Sequence, residues 1–321
     1  MFFRSVAALM IATSPAMAQN WDLPMAWPDG NFITTSAGVF ADDVRAATEG
    51  RVDITIHSGG SLGFKGPEML AAVRDGLVPI GDLFLPQQIG DEPVLGLPGL
   101  PFMFASFDDF EAFDAYFRED LEDIMEGHNQ KVLYTVPWPA PQVWVKTELT
   151  DIDSLAGIRV RTYDKTSTEV FGAAGMTAVQ LPWGDVIPSL ASGAIEGVVT
   201  SSSSAVDGSF WEFLTYGYPT SHSWNLNAMT VNADSWNALS ETDQVAILKI
   251  ASDLQPTFWQ AARAEDAAGM AILAEHGMTL GTVSDELHDA LVARATPMRA
   301  AALEALGDRA KDILDGYAAT Q

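Results

Sequence analysis

Two arginines carry the strongest chemical signal in this chain. Arg159 and Arg161 lie two residues apart in a short strand-like segment, among 17 lysines and arginines set against 43 aspartates and glutamates. Alternation along a strand puts both side chains on one face. A planar guanidinium meets a carboxylate with two parallel hydrogen bonds, so the pair reads as a carboxylate clamp. The plainer reading is two surface salt bridges on an acidic protein. Trp183, in Leu181-Pro182-Trp183-Gly184, stands at a strand-to-helix junction. Ligands bind at such strand ends in open α/β sheets, so Trp183 is either a pocket wall or core. Thr200 and the serines at 201–204 follow another strand end. Their hydroxyls suit a polar ligand or the cap of the next helix.

Other chemistries find less support. Gly59-Gly60-Ser61-Leu62-Gly63 matches the G-x-S-x-G nucleophile elbow, which needs a helix to begin at the serine. Gly66-Pro67 intervenes before the next helical stretch, and none of His57, His128, His222, His276 and His288 stands in a motif that marks a base. A secreted serine hydrolase using Ser61 is kept as the alternative from another class. The histidines are scattered and there is no cysteine, so neither zinc-ligand spacing nor an EF-hand loop is present. No phosphate-binding glycine motif occurs either, and no cofactor is expected.

The elements that must position these residues alternate between strand-like and helix-like, which indicates an α/β fold. Strands are expected at 51–57, 77–85, 131–136, 142–146, 158–161, 179–181 and 195–200. Helices are expected at 37–48, 67–74, 167–174 and 184–192. Phe107, Phe110, Phe113, Phe117, Leu121 and Ile124 recur at helical spacing and read as a core-facing stripe. The rigid Pro137-Trp138-Pro139-Ala140-Pro141 links two strands. Beyond Asp234 the chain reads as mostly helical, with Ser240 and Ser284 as N-caps and Pro256 and Pro297 as kinks or breaks.

Composition narrows the setting. Arg4, the apolar run 6–12 and Ala16-Met17-Ala18 form an export signal cleaved after Ala18, giving a periplasmic chain that starts at Gln19. The apolar run is shorter than the ~20 residues a bilayer span needs, so no direct membrane insertion of the mature chain is expected. The absence of cysteine excludes disulfides and thiol chemistry. A net charge of −26 argues against nucleic acid, whose binding needs clustered Lys and Arg. An anionic ligand would also meet an opposing long-range field, so its capture must rest on a local, desolvated arginine.

The order of several segments then becomes informative. Thr48-Glu49-Gly50-Arg51-Val52-Asp53-Ile54, Gly60-Ser61-Leu62-Gly63, Ala72-Val73-Arg74-Asp75-Gly76 and Leu100-Pro101-Phe102 are followed by Ser154-Leu155-Ala156-Gly157-Ile158-Arg159-Val160-Arg161. Leu181-Pro182-Trp183-Gly184-Asp185-Val186 and Gly193-Ala194-Ile195-Glu196-Gly197 come after. This succession resembles the substrate-binding proteins of tripartite ATP-independent periplasmic (TRAP) transporters, dicarboxylate-binding type, over the whole mature chain.

The resemblance implies a two-lobed periplasmic-binding-protein-like α/β fold with crossing hinge strands and a long helix packed along them. Lobe I would comprise 19–141 plus 226–268, and lobe II 142–225 plus 269–321. It also implies a membrane permease as partner, although a sensory subunit would look the same. Carried over by motif, the carboxylate-binding arginine falls on Arg161 and leaves Arg159 a supporting role. The aromatic wall falls on Trp183, and the polar residue after the next turn on Thr200 or Ser201. The region about twenty residues before Arg161 holds no second arginine, and Gln142 is its nearest polar group. The expected ligand is therefore a small monocarboxylate: an aromatic, 2-oxo or hydroxy acid. Gln142, Thr200, Ser201 and Asn225 would read its polar groups, with Trp138 and Phe84 as further pocket candidates. A C4-dicarboxylate or sugar acid is the alternative.

Overall fold

The computed structural model describes residues 18–320; apart from Ala18, the expected export segment lies outside them. The chain opens with β1 (Gln19–Pro24), α1 (Phe32–Ala47) and β2 (Val52–His57), and β1 and β2 pair in parallel. Asn31 caps α1 by accepting a hydrogen bond from the Ile33 amide. Then come α2 (Met69–Arg74), β3 (Ile80–Phe84), α3 (Phe107–Gly127) and β4 (Gln130–Pro137). On α3, Phe110, Phe113, Phe117 and Leu121 are fully buried, so the aromatic stripe is core.

The chain next crosses into a second lobe. That lobe holds β5 (Gln142–Val145), β6 (Arg159–Thr162), α4 (Lys165–Ala173) and β7 (Thr177–Gln180). It continues through α5 (Val186–Ala191), β8 (Gly197–Thr200), α6 (Ser202–Asp207) and β9 (Tyr216–Tyr218). The return brings β10 (Leu226–Asn232) and α7 (Ala233–Asn237). The long α8 (Glu241–Glu275), β11 (Thr279–Leu280) and α9 (Asp285–Ala318) complete the chain.

The sheets define the lobes. In the first lobe β10 lies antiparallel between β3 and β4. In the second the order is β11-β9-β5-β8-β6-β7, with β6 parallel to both β7 and β8. Two short connections, 138–141 and 219–225, and the long α8 carry the chain between the sheets, and the Trp138 amide donates to the Asn225 carbonyl where the two short connections meet. At 35 residues, α8 is about 50 Å long. It packs on α1 and β4 in one lobe and on α6 in the other.

Three expectations need correction. Pro256 and Pro297 do not break their helices; helical structure runs on past both. An interior proline costs about 3 kcal/mol, and the burial of Phe258, Trp259 and Ala262 just beyond Pro256 opposes that cost. The interruption in α9 falls at Gly307 instead, at φ 73°. Second, β10 was not anticipated, because LNAMTVN carries two asparagines and a threonine. Each is satisfied inside the fold: Asn227 on Asp82, Thr230 on Gln130, and Asn232 as the cap of α7. Third, the end of α9 does not stay with the second lobe. Ala310 and Ile313 are buried with Phe110 and Phe113 of α3, and Tyr317 stands edge-on to Phe113 at 5.2 Å.

The short β9 was unanticipated too, since Tyr-Gly-Tyr followed by proline reads as a turn. Gly217 is there because the Trp144 ring lies flat against it: a Cβ would sit 2.3 Å from a ring carbon of this fully buried tryptophan. Gly217→Ala should therefore destabilise the protein by about 1–3 kcal/mol through overpacking. Calorimetry should record a lower melting temperature; an unchanged one would mean that Trp144 can move aside.

Candidate ligand-binding site

Parallel strands of the second lobe end at a common edge, and their C-terminal ends face the connections between the lobes. A cavity of about 370 Å³, counting space open to solvent, lies there. From the second lobe it takes Arg161 and Tyr163 at the end of β6, Trp183 after β7, and Thr200, Ser201 and Ser204 at the junction of β8 and α6. The first lobe supplies Trp27 and Phe84, and the connections supply Trp138, Pro139, Pro141 and Asn225.

Arg161 is 2% exposed. Its Nε donates to the Leu181 carbonyl at 2.9 Å and Nη1 to the Val199 carbonyl at 3.4 Å. Among the described residues no carboxylate lies within ion-pair reach of it. Burial pushes its ionisation down to about 10, which still leaves it charged at neutral pH. Its Cζ stands 6.0 Å from the ring centroid of Trp183. The hydroxyl side is tied locally: Ser201 caps α6 by accepting from the Ser204 amide at 3.3 Å, and its Oγ also contacts Ser203 and Ser204.

The remaining walls are aromatic. Trp27 and Trp138 meet edge to face at 4.7 Å, and Phe84 stands 6.1 and 6.4 Å from them. Asn225 donates to Tyr163 Oη at 3.2 Å and Ser223 Oγ at 3.3 Å, and its buried Oδ1 has no partner. Tyr163 Oη also contacts Ser223 Oγ at 2.7 Å and Nε2 of the buried His222 at 3.3 Å. Burial pushes His222 down to about 3, so the ring is neutral.

Seven of the eight candidate residues thus come together: Arg161, Trp183, Thr200, Ser201, Asn225, Phe84 and Trp138. Gln142 does not join them. Its Nε2 donates to Asp266 of α8 at 3.2 Å, a carboxylate that also takes Ser202 Oγ. Arg159 is exposed at the strand start. It donates to the Ala194 and Gly193 carbonyls and pairs with Glu196. Trp27 and Tyr163 were missed. Tyr163 was legible, since alternation puts it on the face of Arg161; Trp27 follows a strand that the sequence does not announce.

The G-x-S-x-G segment is a turn-rich loop with positive φ at Gly59, Gly60 and Gly63. The next helix begins only at Met69. No histidine among the described residues hydrogen-bonds Ser61, and the elbow geometry is not formed.

The match to known proteins follows this geometry. The model for bacterial extracellular solute-binding proteins of family 7 covers residues 23–305. The chain belongs to that family, as a solute-binding protein of the TRAP type. The ectoine-binding periplasmic protein TeaA of Halomonas elongata is 24% identical over 329 residues, spanning 98% of this chain and 94% of its own. The Bordetella pertussis solute receptor DctP7, which binds pyroglutamic acid, superimposes with a TM-score of 0.90 at 25% identity, covering 94% of this chain and 99% of that one. A marine metagenome TRAP solute-binding protein from an unidentified microbe holds co-purified pyroglutamate. It reaches a TM-score of 0.89 at 29% identity, over 94% of this chain and 99% of its own. Among the described residues no helix is long and apolar enough to cross a membrane.

Several carboxyls in and beneath this region titrate unusually high. Burial pushes Asp82 and Asp114 up to about 7, and Asp164 and Asp207 up to about 6. A carboxyl raised on folding favours the folded state in its protonated form, and that contribution is lost as pH climbs through the folded value. Asp75 and Asp243, held low by their arginines, act only at more acidic pH. His222, held neutral by burial, works the other way up to about pH 6.5, but the four raised carboxyls outnumber it, so the melting temperature of the unliganded protein should fall on balance between about pH 5 and pH 8. A rise over that interval in scanning calorimetry would contradict the burial of these groups.

Proposed function

We propose that this receptor captures a compact monocarboxylate carrying a small ring or short polar body, of the pyroglutamate kind, between its two lobes and delivers it to a membrane permease. One observation carries the reading: a single buried guanidinium without a carboxylate partner, at one end of a cavity walled by aromatics. Two of the five N–H groups of an arginine are used on the Leu181 and Val199 carbonyls, which leaves three for a ligand carboxylate. Trp183 would lie against the ligand, while Trp27, Phe84 and Trp138 enclose its body. Thr200, Ser204 and Asn225 would meet its remaining polar groups.

Among the described residues Arg161 is the one cation in the lining, so the far carboxylate of a C4-dicarboxylate would be buried unpaired, a state that costs several kcal/mol. A sugar acid brings many hydroxyls to walls that are mainly aromatic. The pyroglutamate binding of two structural relatives supports the same class. A second reading has a specific observation of its own. Steeply inclined aromatic rings, at 68–90° to one another, present faces that attract a delocalised cation, and the ectoine-binding relative fits a cyclic zwitterion held by Arg161 at one end. The mature chain would be periplasmic after cleavage behind Ala18. The sheets favour lobes of 19–141 plus 226–268, and 142–225 plus the start of the C-terminal region, with the end of α9 returning to the first.

A thermal-shift and calorimetric panel of pyroglutamate, ectoine, succinate and d-glucuronate tests the ligand class. At about 1,000 times its Kd a ligand adds about 4 kcal/mol of stability. Pyroglutamate is expected to give the largest shift; a response only to succinate or glucuronate would overturn the one-cation reading. Arg161→Met should lose at least about 2–5 kcal/mol of binding. Its unliganded melting temperature should not drop, because a buried charge without a partner is replaced by an apolar chain of similar volume. Retained affinity in that variant would remove Arg161 from the site.

A further inference from the structure

Most deeply buried carboxylates of the described residues have an evident task. Asp243 pairs with Arg51, Asp164 caps α4, and Asp114 accepts from Thr135 with Arg118 nearby. Asp82 has neither a cation nor a helix end. It lies on β3 at 5% exposure, outside the lining of the cavity, two residues before the wall residue Phe84.

Its contacts lead to the walls. Asp82 Oδ2 accepts from Trp27 Nε1 at 2.9 Å and from Asn227 Nδ2 at 2.6 Å. Asn227 Oδ1 in turn accepts from Trp138 Nε1 at 2.6 Å. The direction of this chain is fixed by chemistry. An indole only donates, so the Asn227 oxygen must face Trp138 and its NH₂ must face Asp82. The acid is therefore the terminal acceptor for both tryptophans, one directly and one through the amide. The two rings it reaches are the pair held edge to face at 4.7 Å.

We propose that Asp82 is a positioning residue for ligand recognition: through this hydrogen-bond chain it holds Trp27 and Trp138 in the orientation that shapes the cavity. The inference rests on the proposed binding site, although Asp82 itself touches no ligand. Asp82 Oδ2 accepts both donors at once and so couples the rings. Burial raises Asp82 to about 7, in keeping with a group surrounded by neutral partners. The chain also explains why one of the two asparagines of β10 sits in a fully buried strand: Asn227 is the relay between one wall and the acid that anchors the other.

The test uses the full mature protein with Asp82→Ala, Asp82→Asn and Asn227→Leu. The readouts are the near-ultraviolet circular dichroism of the unliganded protein, which reports tryptophan packing, and the Kd for pyroglutamate. Asp82→Ala should change the tryptophan signal and weaken pyroglutamate at least 10-fold. Asp82→Asn, whose oxygen still accepts both donors, should restore the signal and most of the affinity. Asn227→Leu releases only Trp138 and should fall between them; it carries the test if Asp82→Ala does not fold. Wild-type spectrum and affinity in both Asp82→Ala and Asn227→Leu would overturn the proposal, as would an Asp82→Asn variant no better than Asp82→Ala. If the wild-type protein does not bind pyroglutamate, the ligand reading fails. The spectra of the unliganded variants then decide the role of Asp82 alone.

Discussion

A guanidinium buried without a carboxylate is the constraint that the rest of the structure has to meet. Removing such a charge from water costs several kcal/mol even after relaxation, and at 2% exposure Arg161 has little solvent to fall back on. Its neighbours offset part of that cost. β6 is flanked by β7 and β8, so the strand is fixed on both sides. The carbonyls of Leu181 and Val199, from the ends of those neighbours, turn toward the guanidinium. Asp164 adds a favourable charge interaction from the same segment. The arrangement keeps the side chain ionised and aimed without neutralising it, and that is the condition a carboxylate receptor requires.

The same constraint explains why the walls of the cavity lie in two lobes and in the links between them. Arg161, Trp183 and Thr200 move with the second sheet, while Trp27 and Phe84 move with the first. Trp138 and Asn225 belong to the connections and are tied to one another through the backbone. The prolines at 137, 139 and 141 fix φ along one link, so bending is restricted to few torsions. Contacts across the cleft hold the lobes together in this form: Asn31 donates to Asp207 at 2.6 Å and Gln87 to the Tyr163 carbonyl at 3.0 Å, and Lys65 lies 3.6 Å from Asp185. Asn31 does this while its other amide atom caps α1. Movement of the lobes therefore couples to a helix start as well as to the cavity.

Much of the second lobe was legible, for a physical reason. Its strands are β-branched runs bounded by Gly-Pro punctuation, and its ligand edge is set by the rule that parallel strands bind at their C-terminal ends. Trp183, Thr200 and Ser201 follow from that rule, while the choice of Arg161 over Arg159 came from the family resemblance. The first lobe hid more. β10 looks polar because its asparagines and threonine make side-chain bonds that only the assembled sheet provides, and β1 is too short and mixed to declare itself. Trp27 was lost with β1. Gln142 was misplaced because its target, Asp266, is 124 residues away on a helix. Long-range polar pairs of this kind leave no periodic trace. The prolines of α8 and α9 mislead in the same way: local propensity argues for a break, and packing against two lobes outweighs it.

A chain with a net charge of −26 is an unpromising catcher of anions if only its far field is considered. Surface charges, however, are screened within about 8–10 Å at ordinary salt. Many of the acids are spent locally, capping helices or pairing with the few arginines, as at Arg51–Asp243 and Arg118–Glu122. Inside the cavity the effective dielectric is lower and the nearest charge dominates. The acidic surface would slow the encounter with an anion without setting the affinity, which depends on one cation kept free of internal partners. Specificity then falls to the shape and orientation of the aromatic walls, which is why the hydrogen bonds behind Trp27 and Trp138 matter as much as the guanidinium in front of them.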